Sequence, residues 1–278
     1  KTFNSTAQPI MLSSARTTLL SSCKQRLQSS TRPHFMLARC FCASTHQSHS
    51  MEYPSINSLA SSLHDGLDEL QLEFQRLALD FTNTQLKPYA KQWDQRKCVD
   101  YATIKKAAEL GFGGLYISEQ NGGLGLSRHD TTLIFEILSQ GCVSTTALIT
   151  IHNMTAWMLD TLCSDKELKS QYLPQMIGCE LMGSYCLTEP HCGSDAAALK
   201  TTARKDGDDY YIISGCKAFI SGGGKNDLYF TMCRTDAAAE KTKGISCFMI
   251  PYDEHRENIS FGENEVKMGW NGSPTAMV

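Results

Sequence analysis

The sequence lacks the features that would place the protein in a membrane or on nucleic acid. No stretch of its 278 residues reaches the roughly eighteen consecutive apolar positions of a membrane-spanning helix. There is no basic excess either, because 26 Lys and Arg stand against 29 Asp and Glu, for a formal net charge of -3. We therefore expect a soluble globular protein with no membrane span and no nucleic-acid partner.

The sequence also lacks paired cysteine ligands. Its 12 cysteines include no C-x-x-C pair, and none has the Cys/His spacing that is typical of a zinc site. A compact disulfide framework is not indicated either, so reduced thiols in a reducing compartment are expected. From these spacings we predict no metal site.

Acidic residues are absent from the beginning of the chain, where the first is Glu52. The preceding stretch is rich in Ser and Thr and contains several Lys and Arg. This composition is typical of transit peptides, which are basic, rich in serine and poor in acids. We predict that residues 1–50 are a transit leader, and a disordered tail is the alternative.

The remaining chain changes its periodicity once. Residues 51–182 carry apolar positions at helical spacing, with capping residues Asp100 and Ser127 at two predicted helix starts. Residues 183–278 alternate apolar and polar positions between glycine-rich turns, which predicts strands. The predicted fold class is α+β: an N-terminal all-α domain over 51–182, followed by a barrel-like antiparallel β domain over 183–278.

The last stretch, EVKMGWNGSPTAMV, is typical of the start of a further strand. A sheet that stopped there would leave backbone groups unpaired. We therefore expect the β domain to be incomplete and the sequence to be a fragment of a longer protein.

Two features could suggest a function, but we interpret both as structural. The glycines of EQNGGLGLS precede a helix but follow no clear βα unit, so a plain loop is favoured over a phosphate loop. His152 lies on an apolar helix with no partner carboxylate nearby in the sequence, so we predict a buried, hydrogen-bonded histidine.

Two other stretches point to a binding surface. Residues 185–195, YCLTEPHCGSD, lead from a strand into a loop that offers the Thr188 and Ser194 hydroxyls beside free amides. Such groups hold a polar ring edge or a pyrophosphate without adding charge, although a self-satisfied turn is the alternative. In KAFISGGGKNDLYF, Phe219 and Ser221 are two positions apart on a predicted strand and are expected to face the same side.

Together these two stretches resemble the acyl-CoA dehydrogenase family of flavoproteins, over roughly residues 53–278. The resemblance implies that FAD binds here, and that Ser194 also contacts the acyl-CoA substrate. Its implied cofactor-binding residues are Tyr185, Cys186, Leu187, Thr188, Glu189, Pro190, His191, Cys192, Gly193, Ser194, Phe219, Ile220 and Ser221. The sequence departs from the family pattern at His191 and Cys192, where the family tends to have Gly and a small residue.

The implied reaction is α,β-dehydrogenation of a short branched acyl-CoA, as in valine catabolism, with electrons passed to electron-transferring flavoprotein. The family's catalytic glutamate lies on a C-terminal helical domain that these residues do not include, so we nominate no catalytic residue. The resemblance also implies the mitochondrial matrix and a homotetramer for the full-length protein. An acyl-CoA oxidase, a dehydrogenase for another short acyl chain, and a non-catalytic binding or assembly module are the alternatives.

Overall fold

The structure, a computed structural model, describes residues 66–207 and 210–278. The predicted leader, residues 1–50, and the first part of the predicted helical domain lie outside the described residues. Gln71–Val278 forms one compact unit. No helix within the described residues has both the length and the apolar character needed to cross a membrane.

The first half of this unit is helical, as predicted. Its elements are α1 (Glu69–Phe81), a π-helical turn (Thr82–Leu86), α2 (Ala90–Gln95), α3 (Tyr101–Glu109), a 3-10 turn (Glu119–Asn121), α4 (Arg128–Gly141), α5 (Val143–Leu162) and α6 (Lys166–Ile177). Both predicted caps are confirmed. The Asp100 carboxylate accepts the Ala102 N–H at 3.1 Å, and the Ser127 hydroxyl accepts the Asp130 N–H at 3.2 Å.

The second half contains strands, one short helix and two 3-10 turns. The strands are β1 (Gly183–Cys186), β2 (Thr202–Asp206), β3 (Tyr210–Ser214), β4 (Ile220–Ser221), β5 (Leu228–Arg234), β6 (Ile245–Pro251) and β7 (Thr275–Ala276). A four-residue helix, α7 (Tyr252–His255), follows β6, and 3-10 turns cover Ala196–Ala198 and Lys241–Gly244. The order of a helical part followed by a β part is thus confirmed.

One detail of the predicted sheet was wrong: it is mixed rather than purely antiparallel. β5 pairs antiparallel with β6 along its whole length, but β1 runs parallel to β5, with Gly183 opposite Leu228. A parallel pair needs a long crossover, and sequence alternation does not report strand direction. β2 and β3 form an antiparallel pair joined to the same sheet, while β4 pairs with β7 in a separate two-stranded sheet.

The final residues are paired rather than open. In β7, Thr275 lies opposite Ser221. Beyond β7, Lys217 and Val278 exchange both backbone hydrogen bonds, at 2.7 and 2.9 Å. The backbone up to Val278 is therefore paired, because β4 and the chain just before it provide its partner.

Three apolar clusters hold the unit together. The largest lies among the helices and includes Phe112 and Leu138. A second joins α5 and α6 to β1 and β5 through residues such as Met176 and Phe230, and so fixes the β sheet against the helices. The third is small and lies under the predicted binding loop, where Cys186, Ile220 and Tyr229 pack together.

Candidate functional site

The loop after β1 is held by a tight turn. Glu189 and Cys192 exchange backbone hydrogen bonds at 2.9 and 3.1 Å, so that Pro190 and His191 form the tip. Proline restricts the backbone at the second position of such a turn. The loop that follows β1 therefore has a defined course.

A buried ion pair anchors the same turn. The Glu189 side chain is almost completely buried and accepts hydrogen bonds from Lys217 Nζ at 2.8 Å and from the backbone N–H groups of Lys200 and Thr201. Burial opposes ionisation of this carboxyl, but the hydrogen bonds from Lys217, Thr201 and Lys200 outweigh it and lower its pKa to about 2. Glu189 is therefore an ionised structural anchor at neutral pH.

Lys217 connects the two predicted binding stretches. Besides Glu189, its ammonium donates to the Leu187 carbonyl at 3.1 Å. The next residue, Ala218, donates its backbone N–H to the Thr188 carbonyl at 2.8 Å. The chain before β4 is thereby fixed alongside the loop after β1, which brings together two stretches that are far apart in the sequence.

A second set of contacts joins β1 to β4. The Ser184 hydroxyl donates to the Ser221 carbonyl at 2.7 Å. The buried side chain of Asn226 donates to the Gly183 carbonyl at 3.0 Å and accepts the Tyr101 hydroxyl proton at 2.8 Å. Asn226 thus ties the start of β1 to helix α3.

The predicted site residues divide by exposure. Three of them carry aliphatic hydroxyls that make no hydrogen bond within the described residues: Thr188, Ser194 and Ser221. The side chains of Cys186, Glu189, Cys192 and Ile220 are buried, Tyr185 and Leu187 are half-buried, and Pro190, His191, Gly193 and Phe219 are exposed. The arrangement can hold a polar ligand edge with three free hydroxyls while the buried members support the loop.

Phe219 differs from the prediction. It lies just before β4 and adopts a left-handed backbone with φ +58, so the two-residue alternation of a strand does not apply to it. The prediction that Phe219 and Ser221 face the same side was therefore based on a strand that does not include Phe219. A bulky residue in this conformation is strained, and its ring is 64% exposed. Strained, exposed aromatic residues are found at binding sites.

His152 positions the beginning of β1, in agreement with the prediction of a buried, hydrogen-bonded residue. Its Nδ1 accepts the Gly183 N–H at 3.1 Å, so Nε2 carries the proton and donates to the Met176 carbonyl at 2.8 Å. Complete burial lowers its pKa to about 4, against the opposing effect of its hydrogen bond to Met176. The histidine is neutral at physiological pH.

The glycine cluster is a packed loop, as predicted. A Cβ on Gly123 would lie 2.2 Å from the Ile117 carbonyl oxygen, so only glycine fits there. Asp160 orders this loop by accepting the Ser118 N–H at 2.8 Å and a bond from Asn121. The cluster serves packing between the loop and helix α5.

Sequence reasoning missed Lys217 and Asn226 as parts of the site. The signal for Lys217 was a single charge within an otherwise uncharged stretch, GCKAFIS, where a buried cation requires a partner. Nothing in the sequence pairs it with Glu189, because the two residues are separated by a hairpin.

The order of domains and the paired stretches define the class of protein. Residues 68–180 match the acyl-CoA dehydrogenase N-terminal domain, and residues 184–278 match the acyl-CoA dehydrogenase middle domain. The chain belongs to the acyl-CoA dehydrogenase family.

Within the family, its similarity to two curated proteins is high. It is 48% identical to the mitochondrial isobutyryl-CoA dehydrogenase of Dictyostelium discoideum, over 76% of this chain and 49% of that protein. It is 46% identical to the Bos taurus mitochondrial isobutyryl-CoA dehydrogenase, over 77% of this chain and 50% of that protein. The chain spans about half the length of these curated relatives.

A solved structure agrees in fold. The acyl-CoA dehydrogenase from Geobacillus kaustophilus superposes with a TM-score of 0.69 at 30% identity, over 77% of this chain and 55% of that chain. The helical part followed by the mixed β part is therefore the acyl-CoA dehydrogenase fold.

Proposed function

We propose that the protein containing these residues is an FAD-dependent acyl-CoA dehydrogenase that converts isobutyryl-CoA to methacrylyl-CoA. The observation that carries this proposal is the convergence of the loop after β1 with the segment before β4, which the Ala218 to Thr188 hydrogen bond fixes at 2.8 Å. The substrate is proposed from the similarity to the two isobutyryl-CoA dehydrogenases.

The residues present fit a flavin. The unpaired hydroxyls of Thr188 and Ser221 suit the polar edge of the ring, and the exposed Phe219 ring suits its apolar face. Ser194, exposed on the same loop, is proposed to contact both FAD and the acyl-CoA. The remaining members of residues 185–194, together with Ile220, shape and support the loop. Among them the buried Glu189 acts through the backbone it holds.

FAD supplies a hydride acceptor for the β hydrogen while a carboxylate removes the α proton. The residues of this chain bind and align the reactants, and alignment alone contributes a large part of such rate enhancements. Glu189 is not the base: its carboxylate is buried and accepts bonds from Lys200, Thr201 and Lys217. By family resemblance, we place the base on a C-terminal helical domain outside these 278 residues.

We further propose the mitochondrial matrix as the compartment and electron-transferring flavoprotein as the electron acceptor. The transit-like composition of residues 1–50 and the mitochondrial relatives support this location. Residues 51–182 and 183–278 are proposed as the helical and β domains of a subunit that forms a homotetramer at full length. A cleaved leader would be detected as a shortened N-terminus in protein isolated from mitochondria.

The direct test is an anaerobic absorbance titration of the flavin-loaded protein with isobutyryl-CoA. The full-length protein is expected to lose its oxidised-flavin absorbance, more readily than with butyryl-CoA. The 278-residue chain, loaded with FAD, is expected to stay oxidised because it lacks the base. Bleaching by the chain alone would overturn the placement of the base, and persistent oxidation of the full-length protein would overturn the proposed reaction.

Replacing Thr188 with valine is expected to weaken FAD binding about tenfold, because it removes one hydroxyl from the flavin's polar edge and keeps the volume. Quenching of flavin fluorescence during titration measures this affinity. Thr202→Val is the matched control, since Thr202 is exposed on β2 outside the loop. Equal affinities for the wild type and Thr188→Val would contradict the assigned contact.

Replacing Phe219 with glycine is expected to weaken FAD binding without lowering the stability of the fold. Glycine adopts the left-handed backbone at φ +58 without strain, so the melting temperature should hold or rise slightly. FAD affinity should fall about tenfold, because an aromatic contact with the ring is lost. Phe261→Leu, at an aromatic residue of the small cluster under the loop, is the control, and it should affect stability more than binding. A large fall in melting temperature for Phe219→Gly would refute the strain argument.

A further inference from the structure

The tip of the loop after β1 brings together three side chains that can each bind a metal ion. Glu189 offers a carboxylate oxygen, His191 an imidazole nitrogen and Cys192 a thiol sulfur. These three atoms lie within 4.8 Å of one another. The ring nitrogen Nε2 of His191 is only 3.4 Å from Glu189 Oε2. The spacing of cysteines and histidines along the sequence does not indicate this group, because all of its members fall within one turn.

The backbone presents the three donors on a fixed frame. Glu189 and Cys192 exchange both backbone hydrogen bonds, and Pro190 restricts the chain between them. The Glu189 carboxylate is also fixed by the N–H groups of Lys200 and Thr201. The His191 side chain, 41% exposed, has room to rotate. The Glu189 carboxylate is therefore held in place before any ion arrives, and the imidazole can close on the ion from solvent.

The distances and the ligand types suit a small divalent ion that accepts sulfur, nitrogen and oxygen ligands. Tetrahedral zinc, with bonds of about 2.0–2.3 Å, places its ligand atoms roughly 3.5 Å apart. The spread of up to 4.8 Å thus requires a shift of about 1 Å among the three side chains when an ion binds. A thiolate, an imidazole and a carboxylate are the set that zinc accepts, whereas magnesium and calcium prefer oxygen alone.

The Lys217 ammonium, which contacts Glu189, does not occupy the position that an ion would need. Lys217 contacts Glu189 through Oε1, whereas His191 faces Oε2. The Lys200 N–H donates to Oε2 but leaves this oxygen with a second lone pair. An ion between Oε2, the imidazole and the thiolate also meets solvent at the exposed His191, so a water molecule can complete four-coordination.

We propose that Glu189, His191 and Cys192 form a binding site for a zinc-type divalent cation, with water as the fourth ligand. On binding, the Cys192 thiol loses its proton to solvent and the sulfur coordinates the ion as a thiolate, while neutral His191 coordinates through Nε2. The proposal rests on the geometry of the turn and does not require that the protein bind flavin.

The test is a titration of the reduced, metal-free chain with cobalt(II), followed by displacement with zinc(II). Cobalt bound to a thiolate shows a charge-transfer absorption in the near ultraviolet, and tetrahedral cobalt shows visible bands that zinc abolishes. We expect the wild type to bind one equivalent of cobalt with these bands, and we expect this binding to be lost in Cys192→Ser. We expect zinc affinity to fall at least tenfold in His191→Gln, since one ligand of the set is lost.

Matched controls isolate this site from the other thiols and imidazoles of the chain. Cys216→Ser changes an exposed thiol, and His129→Gln changes an exposed histidine, both outside the turn. Both controls should keep the full cobalt spectrum. His191 is exposed, so its variant remains informative if Cys192→Ser fails to fold. The proposal is overturned by cobalt spectra that are unchanged in His191→Gln, or by equal losses in Cys192→Ser and Cys216→Ser.

Discussion

Replacing Lys217 with methionine is expected to lower the free energy of unfolding by about 3–5 kcal/mol, because it leaves the Glu189 carboxylate buried without its cation. Both side chains are at most 3% exposed, so water cannot replace the lost partner. The same substitution removes the hydrogen bond to the Leu187 carbonyl, which is one of the links between the two binding stretches. Urea unfolding followed by circular dichroism measures the change.

Two companion variants make this expectation specific. Lys200→Met removes an exposed lysine whose backbone, rather than its ammonium, contacts Glu189, and it should change stability by less than about 0.5 kcal/mol. The double variant Glu189→Gln with Lys217→Met removes both charges and should recover part of the loss. A single Lys217→Met variant as stable as the wild type would show that the pair contributes nothing.

The Glu189–Lys217 ion pair also predicts that the protein loses stability in acid. The pKa of Glu189 is lowered to about 2 in the folded protein, against an ordinary value of 4.5. Its stabilisation is therefore complete above pH 4.5 and is lost as the pH falls toward 2, by about 3 kcal/mol over that interval. In Lys217→Met the folded pKa rises toward or above the ordinary value, so this acid-dependent loss should shrink. Unfolding free energies measured across this range provide the comparison.

Replacing His152 with leucine is the second change with a large expected effect, a loss of about 2–4 kcal/mol near neutral pH. Leucine fills a similar volume but leaves the Gly183 N–H buried without a partner, and it leaves the Met176 carbonyl with only the Cys179 N–H. Because Gly183 begins β1, we also expect weaker FAD binding. Thermal unfolding and the flavin titration measure the two effects, with His129→Leu on the exposed surface of α4 as the control.

The pH profile tests whether His152 is buried in its neutral form. The pKa of His152 is lowered to about 4 from an ordinary 6.5, so protonation favours the unfolded chain. The wild type keeps this stability above pH 6.5 and loses up to about 3 kcal/mol as the pH falls from 6.5 to 4. Leucine cannot titrate, so the gap between the two proteins should narrow toward pH 4. A constant gap would refute the buried, neutral state of His152 in the folded protein.

Local signals predicted much of the fold. The caps at Asp100 and Ser127 act within a few residues of their own helices, and their geometry follows directly from the sequence. The alternation of polar and apolar residues likewise identified the β part. Strand direction was not predictable, since the parallel pairing of β1 with β5 depends on helices and loops far from either strand.

The candidate site was predicted as a set of residues but not as an arrangement. The hydroxyls of Thr188 and Ser194 were identified from their residue types. The buried pair of Glu189 with Lys217 joins residues that only the folded sheet brings together, so no local pattern contains it. The left-handed backbone of Phe219 was missed for a related reason: phenylalanine disfavours it, and the surrounding structure imposes it.

The pairing of β4 with β7 has a consequence for the order of events during synthesis. Ile220 finds its partner Ala276 only near the far end of these residues, and Lys217 finds Val278 later still. A nascent chain emerges from its N-terminus at about 5–20 residues per second, so the helices can pack seconds before β4 has its strand partner. Ribosome-bound chains that stop before Thr275 should therefore hold a folded helical half beside a β4 that is not yet paired in a sheet.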